Sequence, residues 1–163
     1  MTGLIIREST EKYLEASDEI LNLFGHFLDV WKEKGTDIDV MEARRIFTFM
    51  VLEDQKRDKP HIGSTPHYTR HCWAVGEHAS NLTRRLFDRY TNMNDSKFPF
   101  PPKEIEYAGG SHDIAKLLLR SDFQYAHEHA AYLLLMDNGC EDLANLVQPH
   151  HPGSETLLRR IHQ

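Results

Sequence analysis

Side chains that could bind a metal ion or move a proton are concentrated in one half of the chain. Eight of the eleven histidines lie between His67 and His151, and histidine is the commonest side-chain metal ligand. His112 and Asp113 stand side by side in SHDIAKLLL, residues 111–119, at the head of an apolar run. Neighbouring side chains on a helix point about 100° apart, so an amphipathic pattern would rarely direct both inward. An imidazole and a carboxylate at a helix start can instead converge on one divalent cation, and the carboxylate can bridge to a second.

A stripe of histidines precedes this pair. A threonine followed by a proline is a favourable helix start, which predicts a helix over residues 66–90. Three histidines share one narrow stripe of this helix: His67, His71 and His78. The stripe also carries Val75, Leu82 and Leu86. We therefore expect it to face the core, although any one of its histidines is more simply explained as a partly buried, hydrogen-bonded side chain.

The rest of the sequence predicts further helices and almost no strands. Apolar residues recur at helical spacing over residues 9–34, where Gly35 supplies a stop, and over residues 39–55. The predicted buried faces comprise Ile20, Phe24, Phe27, Leu28 and Trp31 in the first helix and Ile46, Phe47, Met50 and Val51 in the second. Helices resume near Lys103, Ser121 and Glu141. In front of the His-Asp pair, the glycines of YAGG allow a close approach and a sharp turn. The pattern predicts an all-α, single-domain helical bundle.

Four motifs, in this order, resemble the HD-domain metal-dependent phosphohydrolases. That family has an isolated histidine, a His-Asp doublet and, in its two-metal branch, further histidines that include a pair. The matching stretches are RHCWAVGEHASNL at residues 70–82, HDIAK at 112–116, HEHAAYLLL at 127–135 and HH at 150–151. The resemblance implies an HD-type core over residues 57–163, with residues 1–56 as a pair of helices packed on it.

Residue by residue, the resemblance implies a ligand set for two divalent metal ions. The implied metal ligands are His71, His112, Asp113, His127, His150 and His151. Asp113 would bridge the metals, and Lys116 would contact the phosphate; these two are the implied catalytic residues. His127 and His129 lie about 160° apart around a helix, so only one can serve. We favour His127, because it shares a face with two buried-type residues of the same helix.

The remaining histidines are assigned less directly. His67 occupies the place where some trimetallic members of the family have a glutamate, and it is either a further ligand or an ordinary pocket-lining residue. His78 is expected to pack near the site or to support it. His26, His61 and His162 match no motif, and we expect them on the surface or in loops.

The sequence departs from the family pattern near its end. The family's last ligand is an aspartate on a helix after the paired histidines, and SETLLRRIHQ, residues 154–163, contains none. We favour a core truncated just before that aspartate. The alternatives are that another group or a water completes the site, or that the first metal site is weakened. The GYP extension that marks one cyclic-dinucleotide phosphodiesterase branch is absent as well, which disfavours such a substrate.

The implied activity is hydrolysis of a phosphomonoester or phosphodiester, in a nucleotide or a related molecule. One metal would lower the pKa of a bound water, and a second would clamp the phosphoryl oxygens. Manganese, iron, nickel and magnesium are the candidate ions, and ligation rich in histidine favours a transition metal over magnesium.

Two alternatives remain open. Residues 112–135 also resemble the HD nuclease module of CRISPR-associated helicases and related effector proteins, which implies a part of a larger multidomain protein. Arg84, Arg85 and Arg89 offer a modest basic strip for such a role, although a strip of this kind is more often a solvated helix face. The other alternative is a non-catalytic, metal-stabilised sensor domain, which the missing aspartate keeps open. A hemerythrin-like di-iron carrier would need paired carboxylates that this chain does not show.

Bulk composition limits the compartment and the partners. The chain has 163 residues and a net charge of −6, which fits one domain and argues against wrapping of nucleic acid by clustered basic residues. Cys72 and Cys140 have no CxxC spacing, so a disulfide framework is not supported. No apolar run approaches the roughly 20 residues of a membrane span. We expect a cytoplasmic protein with no membrane partner, whose substrate is a phosphate-containing small molecule or a nucleic acid.

Overall fold

The computed structural model describes residues 3–33, 38–62, 65–93 and 101–148, and these form a bundle of helices around one hydrophobic core. The α-helices are α1 (Glu8–Glu11), α2 (Asp18–Lys32), α3 (Val40–Gln55), α4 (Thr65–Met93), α5 (Pro102–Gly110), α6 (His127–Asp137) and α7 (Glu141–Val147). Two 3-10 helices, Ile114–Leu117 and Ser121–Ala126, lie between α5 and α6. Extended pairing in these ranges is limited to one bridge, between Leu14 and Leu119. The predicted all-α class is confirmed.

Local sequence signals account for α2 and α3. The Ser17 side chain accepts a hydrogen bond from the backbone N–H of Ile20, and the Asp39 side chain accepts one from Glu42, so both helices begin at a capping residue. The predicted buried faces are confirmed, because every predicted residue is buried: Ile20, Phe24, Phe27, Leu28, Trp31, Ile46, Phe47, Met50 and Val51. The predicted stop at Gly35 lies outside the described residues.

The prediction of one helix over residues 9–34 is wrong in its first part. The short helix α1 ends at Glu11, and α2 begins only after Ser17. Between them the chain is held by backbone pairing with a distant segment, in which the Glu15 N–H donates to the Leu118 carbonyl at 2.8 Å. Such long-range pairing overrides helical periodicity, and it leaves no mark on the local pattern.

Tyr107 joins α5 to the N-terminal helices. Its ring is completely buried and lies 4.7 Å from the Phe27 ring and 5.1 Å from the Trp31 ring, centroid to centroid. Its hydroxyl donates a hydrogen bond to the Phe27 carbonyl. Helices on both sides of residue 56 therefore share this core, while the predicted division at that residue stays a prediction.

Helix α4 packs on the bundle through a face that combines Trp73 with several small residues, rather than through the predicted stripe. Its buried residues include Cys72, Trp73, Gly76, Ser80 and Thr83. The stripe of His67, His71 and His78 is exposed, and so are its apolar members Val75, Leu82 and Leu86; Leu82 is 60 % exposed. The prediction that this stripe faces the core is wrong, because a contact made by glycine and serine carries no hydrophobic signature.

Close approach explains the glycines of α4 and α5. A Cβ built on Gly76 would lie 2.5 Å from the carbonyl oxygen of Glu106, and one built on Gly110 would lie 2.2 Å from the Trp73 ring. The predicted close approach is thus confirmed. The predicted sharp turn at these glycines is wrong, because Gly109 and Gly110 are helical and the turn follows at residues 111–113.

The N-terminal segment is held by Asn138, at the end of α6. Its side-chain amide accepts a hydrogen bond from the Ile5 N–H at 2.7 Å and donates one to the Ile5 carbonyl at 2.9 Å.

Among the described helices, none combines the length and the apolar character needed to cross a membrane.

Candidate metal centre

The His-Asp pair lies in a turn between α5 and the first 3-10 helix. His112 and Asp113 belong to the turn at residues 111–113, so the divergence expected on a continuous helix does not apply. The Nε2 atom of His112 lies 3.2 Å from Oδ2 of Asp113. Asp113 is only 5 % exposed. The turn therefore places an imidazole against a buried carboxylate.

Three histidines from three elements surround the Asp113 carboxylate. Oδ2 faces His112 and also His71 of α4, whose Nε2 is 4.0 Å away. Oδ1 faces His127, the first residue of α6, whose Nε2 is 3.3 Å away. Ligand atoms of His71, His112 and Asp113 lie within 4.8 Å of one another, close enough for one metal ion. Each carboxylate oxygen therefore has its own histidine neighbours.

Backbone carbonyls orient two of these rings. His112 Nδ1 lies 2.6 Å from the Gly109 carbonyl, and His127 Nδ1 lies 2.8 Å from the Gln124 carbonyl. Because a carbonyl oxygen can only accept, each Nδ1 must carry the hydrogen. In the neutral rings the lone pair is then on Nε2, directed at Asp113. This is the arrangement in which histidines commonly bind metals, with the second nitrogen fixed by an outer hydrogen bond.

The donor set fits a divalent cation on electrostatic grounds. A lone pair on Nε2 and a carboxylate oxygen repel each other at 3.2 to 3.3 Å unless a proton or a cation lies between them. Burial lowers the pKa of His112, but the hydrogen bond to Asp113 and the charge of that carboxylate outweigh it, so the pKa is raised. A bound metal ion satisfies the same nitrogens without protons.

Lys116 lies on the carboxylate oxygen that faces His112. Its ammonium donates to Asp113 Oδ2 at 3.3 Å, and its side chain is 32 % exposed. The ammonium of Lys116 thus contacts the Asp113 carboxylate, while part of the Lys116 side chain remains in contact with solvent.

Buried polar groups of α4 lie behind Asp113. The Tyr68 hydroxyl donates to the Asp113 carbonyl. Burial and, secondarily, the Asp113 carboxylate raise the pKa of the Cys72 thiol to about 12. The buried thiol is therefore protonated near neutral pH when no metal is bound. Sequence reasoning missed Tyr68, for which the pattern held no signal.

His61 was expected on the surface or in a loop, and it lies in the segment that follows α3. Its side chain is nevertheless only 3 % exposed. Its Nδ1 lies 3.3 Å from Oδ1 of Asp54 and 3.3 Å from the carbonyl of Leu117, which ends the first 3-10 helix. Asp54 itself is completely buried. A carboxylate four residues after Met50, within the buried stripe of α3, was the signal that could have revealed this contact.

The other candidates are placed as follows. His127 is buried beside Asp113, whereas His129, His67 and His78 are exposed. His26 is exposed and lies 3.4 Å from a Glu42 carboxylate oxygen. The predicted ligands His150 and His151 lie outside the described residues, as do His162 and the segment 154–163. The structure thus brings together His71, His112, Asp113, Lys116 and His127, and their roles toward a metal stay predictions.

Comparisons with protein-family models, with curated proteins and with solved structures find no match. The resemblance to HD-domain phosphohydrolases therefore stays an interpretation of the residues themselves.

Proposed function

We propose that the protein is a metal-dependent phosphohydrolase that acts on a nucleotide or a related phosphoester. One observation carries the proposal: both oxygens of a buried carboxylate face imidazole nitrogens from different elements. Oδ2 of Asp113 faces His71 and His112, and Oδ1 faces His127. A carboxylate flanked in this way can share its two oxygens between two divalent cations.

The residues near Asp113 would divide into two ligand groups. His71, His112 and Oδ2 of Asp113 would hold one cation. His127 and Oδ1 of Asp113 would contribute to the second. We propose His150 and His151 as further metal ligands. Bound divalent cations lower the pKa of a coordinated water and neutralise phosphoryl oxygens. The Nδ1 bonds of His112 and His127 to backbone carbonyls would leave both Nε2 lone pairs free to bind the cations.

Lys116 would bind the substrate phosphate. Its ammonium lies 3.3 Å from Asp113 Oδ2, the oxygen that His71 and His112 also face. A cation at this oxygen repels the ammonium, and the partly exposed side chain can then turn outward. There it would donate to a phosphoryl oxygen and stabilise the negative charge that develops during hydrolysis.

Access to the site supports a phosphoester substrate that arrives from solvent. The His71 side chain is 52 % exposed, whereas that of Asp113 is buried. The cluster is therefore open on the side of α4 and closed behind Asp113. A phosphoester would therefore approach the cluster from the side of His71.

A nuclease is the second candidate function, and one observation favours it. Arg84, Arg85 and Arg89 are exposed on α4, the helix that also carries His71. At about 1.5 Å per residue, Arg85 lies roughly 21 Å along the helix from His71 and within about 40° of it around the helix axis. A single strand of nucleic acid could span this distance and bind the arginine through its phosphates. If the protein hydrolyses single-stranded DNA, and Arg85→Glu loses both this hydrolysis and salt-sensitive binding, the nuclease is favoured over an enzyme that acts on a small nucleotide.

The testing experiment compares metal content and turnover in four proteins. The parent chain, His112→Ala, Asp113→Asn and the control His129→Ala are loaded with manganese, iron, nickel or magnesium and assayed on bis(p-nitrophenyl) phosphate. We expect about two ions per parent chain, a loss of at least about 100-fold in turnover for the first two variants, and parental behaviour in the exposed-histidine control. A parent that binds no metal contradicts the proposal. Metal binding without turnover on any phosphoester supports the sensor alternative.

A further inference from the structure

We infer that Gln124 is a positioning residue that fixes Lys116 and His127 around Asp113. The inference rests on the proposed function, because it assigns Gln124 a role at the same centre. Gln124 lies in the second 3-10 helix, three residues before His127, and is partly buried. Its bonds go to the neighbours of Asp113, and its role is exerted through them.

Three hydrogen bonds of Gln124 define this role. Its side-chain Nε2 donates to the Lys116 carbonyl and to the Leu119 carbonyl, each at 3.2 Å. Its own backbone carbonyl accepts from His127 Nδ1 at 2.8 Å. One residue therefore binds both the segment that follows Asp113 and the ring that faces Oδ1 of Asp113.

The side-chain bonds hold the two 3-10 helices together. A helix end leaves carbonyls without partners inside the helix, and a primary amide carries two N–H groups. Both N–H groups of Gln124 are used on carbonyls at the end of the Ile114–Leu117 helix and just beyond it. The second 3-10 helix is thereby fixed on the first, and with it the Gln124 carbonyl that orients His127.

The chemistry at this position is specific to an amide. Glutamate has the same shape, but its carboxylate would face two carbonyl oxygens and repel both. Methionine has a similar length and no donor. Asparagine keeps the amide on a shorter side chain, and it cannot reach both carbonyls from the same backbone position. The three substitutions therefore separate the donor function from the volume of the side chain.

The test measures cobalt binding by Gln124→Met and Gln124→Glu in the full chain. Gln55→Met is the matched control, because the Gln55 amide also donates to a backbone carbonyl, that of Ile62, at 3.2 Å. We expect both Gln124 variants to bind Co²⁺ at least about tenfold more weakly than the parent and to show altered visible absorption bands. The control should match the parent in both affinity and spectrum.

A metal-independent measurement accompanies it. Nitrogen-15 spectra of the histidine rings in the metal-free protein report which ring nitrogen carries the hydrogen. We expect the Nδ1–H form of His127 in the parent and in Gln55→Met, and a mixture of forms in the Gln124 variants. Circular dichroism verifies folding, and Gln124→Asn replaces any variant that does not fold.

The outcomes separate the inference from the proposed function. If the parent binds Co²⁺ and the Gln124 variants match its affinity and spectrum, the inference is overturned and the proposed function stands. If the parent binds no metal, the proposed function fails and the ring spectra decide the inference: an unchanged His127 form in Gln124→Met overturns it, and a mixed form supports it.

Discussion

Gly109 of α5 lies in backbone contact with Gly76 of α4: a Cβ built on Gly109 would be 2.6 Å from the Gly76 Cα. The Gly109 carbonyl is also the acceptor for His112 Nδ1. The packing of two helices and the orientation of a candidate metal ligand therefore depend on the same residue.

Gly109→Ala should destabilise the protein and weaken metal binding together. Alanine gains about 1 kcal/mol in helix propensity, but overpacking typically costs about 1 to 3 kcal/mol and here the obstacle is backbone that cannot rotate away. We expect a net loss of about 1 kcal/mol in the free energy of unfolding, measured by urea denaturation. Gly3→Ala is the control, since nothing lies within 4 Å of a Cβ at Gly3. Equal stability of the two variants would contradict the close contact.

Metal affinity should fall as the pH decreases. The pKa of His112 is raised, since Asp113 outweighs the opposing effect of burial, so the metal-free site holds a proton at higher pH than an ordinary histidine. Metal binding must displace that proton. Affinity should therefore decline as the pH falls through the raised pKa, by about tenfold per pH unit for each proton released. Competition with a chromogenic chelator between about pH 8 and about pH 6 measures this. An affinity that does not change over this range would show that His112 is not a ligand.

Cys72 should resist alkylation in the folded protein. Its thiol is buried, and its pKa is raised to about 12 by burial and by Asp113, so almost no thiolate forms near pH 9.0. Iodoacetamide, followed by mass spectrometry, should label Cys72 only after unfolding in guanidinium. Because the folded thiol stays protonated while the unfolded one ionises near pH 9.0, stability should also decrease between pH 9.0 and about 12. Rapid labelling of folded protein would contradict the burial of this thiol.

Asp54→Ala should destabilise the protein by about 3 kcal/mol, because buried donors lose their acceptor. The Asp54 carboxylate accepts from the backbone N–H groups of His61 and Ile62, and Arg57 Nε lies 3.6 Å from it. Thermal and urea unfolding measure the loss. Glu53→Ala is the neighbouring control, since the Glu53 carboxylate pairs with the exposed Lys56. A loss no larger than that of the control would mean that the buried carboxylate does not hold the segment after α3.

Elements with local signals could be predicted from the sequence. Helix α3 begins after Asp39, within the residues 39–55 that apolar spacing predicts, and the buried residues of α2 also follow their spacing. At the site, the choice of His127 over His129 agrees with their placement, because the helical period alone puts them on opposite faces. The group around Asp113 was predicted from motif order, and its metal remains a prediction.

Features that depend on distant contacts could not be predicted. The exposed stripe of α4 was expected to be buried because it carries apolar residues. The helix instead makes a close contact through Gly76, and hydrophobic periodicity gives no signal for such a contact. The segment around Glu15 is held by Leu118, and His61 by Asp54 and the carbonyl of Leu117. Each of these contacts joins residues whose types are ordinary in their local sequence, so only the folded chain reveals the pairing.

The Asn138 bond to Ile5 bears on the order in which the chain folds. The two residues are 133 positions apart, and a contact across so long a loop contributes little until the intervening helices have already brought its ends together. We expect the first residues to dock last, after α6 has formed, and to detach first on partial unfolding. Amide hydrogen exchange at the Ile5 N–H would then be faster than at the buried backbone N–H groups of α3.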